Sequence, residues 1–105
     1  MLGGGDIRRM VLDLVVVDAD GEDIGLVTDT WPGDGGGEPE LIRVGVGIKF
    51  PRPYYVPIRD AEIHDDALHV PWTRAEIEDS PPADDERWGD PGSVARAYWS
   101  AHADD

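Results

Sequence analysis

Two clusters of side chains carry the groups from which a reactive or ligating centre is usually built. The first is acidic: Asp18, Asp20, Glu22, Asp23 and Asp29. Closely spaced carboxylates suit calcium, but a calcium loop of the helix–loop–helix kind needs glycine at its sixth position and a glutamate at its twelfth. Here Asp18-x-Asp20-Gly21 places the glycine fourth, and no helix signal flanks it. Asp-Gly is also a tight-turn dipeptide, and that reading is favoured. The second cluster is Glu62, His64 and His69. Two imidazoles and a carboxylate can hold zinc if a hairpin brings them to one face. An exposed polar face is the favoured reading, because the His64–His69 diagonal is long.

Other chemistries find less support. With 23 acidic residues, carboxylates will meet by chance in any fold, so a general acid–base pair has no distinguishing mark. The chain has no cysteine, which excludes thiol catalysis, a zinc–thiolate site and a disulfide scaffold. Thr28, Thr30, Thr73, Ser80 and Ser93 have no histidine set beside them by a recognisable motif. The Gly-rich stretch 32–39 lacks the Lys-Ser/Thr and helix start of a phosphate loop, and reads as a hairpin loop. No catalytic residue, cofactor site or metal site is therefore expected, and the protein is expected not to be an enzyme.

The charge balance narrows the partners. Nine basic residues against 23 acidic ones give a net charge of −14. Affinity for nucleic acid rests on Lys and Arg neutralising phosphates, so direct nucleic-acid binding is disfavoured, as is an anionic membrane surface. A basic protein partner fits better. The longest apolar run, Leu14 to Val17, is too short to span a bilayer. The start, Met1 to Asp6, has no apolar core of a signal peptide, so a cytoplasmic location is expected.

The elements that carry these residues are short. Thirteen glycines and nine prolines in 105 residues favour strands and turns within one domain. Met10 to Val17 reads as a first strand and Ile24 to Trp31 as a second, joined by a turn at Asp18 to Gly21. Gly25 marks a bulge or bend. Leu41 to Ile48 alternates strongly, with Gly45 and Gly47 suggesting a close backbone approach. Tyr54 to Ile58 is a strand whose Pro57 places it at a strand end or sheet edge. Ala61 to Pro71 reads as a hairpin turning at Asp65-Asp66, with Ile63 opposite Leu68 and Glu62, His64 and His69 on the outer face. Thr73 and Glu76 have capping-box spacing for a short helix ending before Pro81-Pro82. After an acidic linker, Pro91 to His102 reads as a helix capped by Asp90, with Val94, Tyr98 and Ala101 on one stripe that Ala95 and Trp99 extend.

With these elements in place the chain resembles the PRC-barrel family, the small barrel of photosynthetic reaction-centre H subunits and of a ribosome-maturation factor, found also as stand-alone prokaryotic proteins. The matching residues are Val17, Asp20-Gly21-Glu22, Ile24-Gly25, Val27 and Asp29, then Leu41-Ile42-Arg43-Val44, Tyr54-Tyr55-Val56-Pro57-Ile58, Ala61-Glu62-Ile63, Ala67-Leu68, Val70-Pro71, Thr73 and Ile77. The resemblance implies an all-β fold: a small barrel of about six strands, followed by a short helix and a C-terminal helix. The expected divisions are a flexible lead at 1–9, the barrel domain at 10–81, and an acidic linker with its helix at 82–105. The resemblance also implies an adaptor or assembly module rather than an enzyme.

The aromatic residues are concentrated late in the chain, and aromatics are the usual anchors of protein interfaces. Tyr54, Tyr55, Trp72, Trp88, Tyr98 and Trp99 are the expected interface residues. The function expected is a non-enzymatic interaction module that self-associates, as a dimer, or binds a protein partner of basic character. Two alternatives are kept: an accessory protein for a metal or small ligand, and a ribosome or RNA-maturation accessory acting through a basic protein.

Overall fold

The computed structural model describes residues 9–32, 39–47, 49–87 and 89–102, with His102 seen through its backbone alone. The described strands are β1 (Val15–Val17), β2 (Asp23–Trp31), β3 (Leu41–Val46), β4 (Arg52–Pro57), β5 (Glu62–His64) and β6 (Ala67–His69). Two helices follow, α1 (Arg74–Asp79) and α2 (Pro91–His102). The expected lead falls outside the described residues except for Arg9, and residues 9–11 are helical.

The β1–β2 hairpin forms where Asp-Gly predicts it. Gly21 takes φ 83°, a conformation open to glycine at no steric cost, and the Asp18 N–H donates to the Glu22 carbonyl at 2.9 Å. The first strand is shorter than expected. Met10 to Leu14 is not regular strand; the chain leaves its helical turn through Asp13 at φ 67°, the Asp13 N–H donates to the Val27 carbonyl at 2.9 Å, the Leu14 carbonyl accepts the Val27 N–H at 3.0 Å, and the strand proper begins at Val15. Val11 is buried, and Leu12 and Leu14 pack on the core from this segment. Alternating apolar residues there reflect core contacts made by irregular backbone, not a pleat.

The register of β1 on β2 shifts between Val16 and Val17, beside Gly25, as a bulge requires. Gly25 itself is fixed by space: a Cβ there would fall on the Gly45 carbonyl of β3. This is the close approach that the strand glycines foretell. The hairpin β5–β6 also forms in its expected register, Ile63 opposite Leu68, with Asp65 and Asp66 both at positive φ.

The expected all-β barrel is not what forms. The six strands make one open, mixed sheet in the order β4-β3-β2-β1-β6-β5, in which β1 runs parallel to β6, and helices flank it. The reason lies in β4. Its Pro53 carbonyl accepts the Ala83 N–H at 2.8 Å and its Tyr55 carbonyl accepts the Trp99 indole N–H at 2.8 Å. Positions 53, 55 and 57 therefore face away from β3, and two of these three are prolines with no N–H to offer a further strand. The free edge is taken by residues 82–83 and by α2 instead. At the other end, β5 is three residues long and exposed throughout, too short to complete a closing ladder.

Both helix starts follow their sequence signals. Thr73 and Glu76 form a reciprocal capping box, the Glu76 N–H donating to Thr73 Oγ1 at 3.2 Å and the Thr73 N–H to Glu76 Oε1 at 3.0 Å. At α2, the Ser93 N–H donates to Asp90 Oδ2 at 3.2 Å. The buried stripe of α2 is Gly92, Ala95 and Trp99, while Ala101, expected on that stripe, is exposed. A Cβ at Gly92 would overlap the Trp31 indole, so glycine lets the helix seat directly on that ring. Twelve residues are too few for a helix stable alone in water, and this docking on its own sheet supplies what propensity does not.

Candidate functional site

The aromatic residues expected at an interface divide by burial. Tyr54 and Trp99 are in the core, 4% and 2% exposed. Tyr55, Trp72 and Tyr98 are half-buried and pack against that core. Trp72 and Trp99 have ring centroids 4.7 Å apart, and Tyr98 meets Trp99 edge-on at 5.2 Å. Together with the Trp99–Tyr55 hydrogen bond, these contacts fasten α2 to the edge of β4. Trp88 lies outside the described residues.

A different surface stands open. Strand register sets Ala67, Val15, Leu26, Gly45 and Pro53 side by side across β6, β1, β2, β3 and β4, on the face opposite the core valines Val16, Val27 and Val44. Leu26 is 49% exposed at its centre. Pro51 borders Gly45 on this side, and Phe50 beside it is 86% exposed. Sequence reasoning missed Leu26 because Ile24, Leu26 and Val27 look alike in a list. Only the bulge, which offsets the pleat by one residue, turns Leu26 outward while Ile24 and Val27 turn in.

Charged residues frame this apolar row. On one side, register aligns Glu62, His69, Val17 and Asp23. On the other it aligns Asp29, Arg43 and Tyr55. Burial pushes the Tyr55 hydroxyl up; Arg43 pulls it down, while Asp90 and Asp29 push it further up. Glu62 and Asp23 thus lie on one side of the row, while Asp29 is paired with Arg43 on the other.

The two candidate ligand clusters resolve differently. The Asp18 carboxylate is buried and already engaged: Oδ1 accepts the N–H groups of Asp20 (3.0 Å) and Glu22 (2.9 Å), and Oδ2 accepts that of Arg74 (3.0 Å). Burial pushes this carboxyl up, but the backbone N–H groups of Glu22, Arg74, Asp20 and Gly21 together hold it below the usual carboxylate range. It is a turn and helix anchor. Glu62, His64 and His69 do share a face: His64 Nε2 lies 3.1 Å from Glu62 Oε2, and the two imidazoles meet edge-on at 5.3 Å. Among the described residues, however, no group of three or more His, Cys, Asp and Glu side chains is arranged to hold a metal ion. Positions 33–38 of the Gly-rich loop lie outside the described residues.

The chain is thus an open six-stranded sheet with flanking helices and an apolar row on one face. The model of the PRC-barrel domain matches residues 8–77, 70 of the 105 residues, and the chain belongs to the PRC-barrel family. No curated protein matches it. PRC-barrel domains are non-catalytic interaction modules, and membership brings that general role with it. No helix among the described residues is long and apolar enough to cross a membrane.

Proposed function

We propose that this protein is an assembly module that docks a basic protein partner on the outer face of its sheet. The observation that carries the reading is the row Ala67, Val15, Leu26, Gly45 and Pro53, an apolar strip across five strands with Leu26 half-exposed at its centre. Interfaces bury an apolar centre inside a polar rim, and the rim here is acidic through Glu62, Asp23 and Asp29. A rim of one sign speeds encounter with the opposite sign and penalises the same sign. A second copy of this chain would bring a net charge of −14 toward another −14. A basic partner carries no such penalty. Ribosome-associated proteins are one source of basic partners, consistent with an accessory role exercised through protein contact.

Site-specific photocrosslinking tests the proposal in full-length protein. A benzophenone amino acid at position 26 is expected to give one dominant adduct with a basic protein, of isoelectric point above about 9. The same group at position 78, exposed on α1, is expected to give none. The adduct should also disappear when Asp23 and Glu62 are replaced by Lys. An adduct with a second copy, or equal labelling from both positions, overturns the proposal.

A further inference from the structure

A cavity of about 310 Å³ lies where the end of the sheet meets α2, away from the outer-face row. Its apolar wall includes Leu41, Ile58 and the buried Trp99, and two arginines, Arg59 and Arg96, are among its lining residues. The volume is at the lower end of the range for small-molecule sites, and the mixture of apolar wall with a few polar groups is their usual character.

The charges select the ligand. Nine basic residues serve the whole chain, so two in one small cavity is a local reversal of a net charge of −14. Arg96 is tied to Glu40, Nε to Oε2 at 3.2 Å, across the cavity lining. Arg59 makes no ion pair among the described residues. Two guanidiniums less one carboxylate leave a single positive charge, and it belongs to Arg59. A guanidinium is a fork of donors matched to a carboxylate. A dianion such as phosphate would bring a second charge with no cation to meet it, in the field of an acidic protein. We infer that this cavity binds a small monocarboxylic acid, its apolar body against Leu41, Ile58 and Trp99 and its carboxylate on Arg59.

Arg96, held by Glu40, is a wall and a hydrogen-bond donor rather than the principal anchor. Because Trp99 both lines the cavity and secures α2 to β4, occupancy should also tighten that helix. This site is independent of the outer face, so either can fail without the other.

The test is a titration of isotope-labelled full-length protein followed by NMR, with 3-phenylpropionate, 4-methylpentanoate and inorganic phosphate as probes. Saturable shifts of the Trp99 indole and Ser100 resonances are expected with the two acids and not with phosphate. The neutral 3-phenylpropanamide should bind at least about tenfold more weakly, the usual cost of losing a charge-assisted hydrogen bond. Arg59→Gln, at an exposed position, should keep the fold and lose a similar factor, while Leu26→Asp should leave the titration unchanged. No saturable shift with either acid, equal binding of acid and amide, or an unaffected Arg59→Gln variant overturns the inference.

Discussion

The Asp18 carboxylate accepts the backbone N–H of Arg74 at 3.0 Å, joining the first hairpin turn to the first turn of α1 across 56 positions of sequence. The same carboxylate closes its own turn through Asp20 and Glu22. One buried side chain thus settles two local structures and their relative placement. Replacing it by Ala removes three part-buried hydrogen bonds to a charged acceptor, each worth about 1 kcal/mol. Asp18→Ala should therefore lower stability by about 2–4 kcal/mol, read as a shifted urea midpoint.

The same group predicts a pH dependence. Its folded carboxyl lies below the ordinary range, so the carboxylate's contribution is fully present above the unfolded value and is lost as pH falls through the lower, folded one. Stability of the native protein should fall on acidification below about pH 4. In Asp18→Asn the part of that fall owed to this residue should vanish. Identical acid limbs for the two proteins would remove Asp18 from the account.

Trp99 has two roles that substitution can separate. Trp99→Phe keeps most of the ring and loses the hydrogen bond to the Tyr55 carbonyl, for about 1 kcal/mol. Trp99→Ala removes a side chain 2% exposed and should cost about 3–5 kcal/mol. Hydrogen exchange should show α2 losing protection first in the alanine variant, before the sheet does.

Gly25→Ala would push a methyl group onto the Gly45 carbonyl at one end of the β2–β3 ladder. Backbone cannot give way as a flexible side chain does. A loss of at least about 1–3 kcal/mol is expected, with the change concentrated in the amide shifts of β2 and β3. Gly21→Ala, where a Cβ meets nothing but φ is 83°, should cost less.

Asp85 offers a local electrostatic test at the surface. Arg87 donates to both its carboxylate oxygens, Nη2 to Oδ2 at 2.8 Å, and holds the group at about 2. In Arg87→Ala the side-chain bonds go but the backbone N–H of residue 87 still donates to Asp85 Oδ1, so the Asp85 carboxyl resonance should titrate higher than in the native protein while staying below its ordinary 3.8. An unchanged titration would show that the pair does not persist in solution.

Local signals in the chain were legible where the physics is local. Asp20-Gly21 and Asp65-Asp66 made their turns, Thr73 and Glu76 their capping box, and Asp90-Pro91 a helix start, because each depends on a few adjacent residues. Pro57 marked an edge strand for the same reason: a missing N–H is a property of one residue. Met10 to Leu14 misled because apolar alternation records burial, and core contacts from irregular backbone bury residues just as a strand does. The site was less legible. Leu26 turns outward only because a bulge shifts the register, and nothing in its own neighbours says so.

By itself, the sequence determined the turns, the caps, the acidic surface and the family to which the chain belongs, since these follow from residue type and short spacing. Tertiary structure decided the rest. Whether six strands close or stay open depended on what reached the β4 edge first, and Ala83 and Trp99 come from 30 and 44 residues away. Which aromatics are buried within the chain depended on where α2 seats, and Gly92 is small enough for the helix to lie on the Trp31 ring. Such choices are made by packing between distant segments, where no single residue carries the instruction.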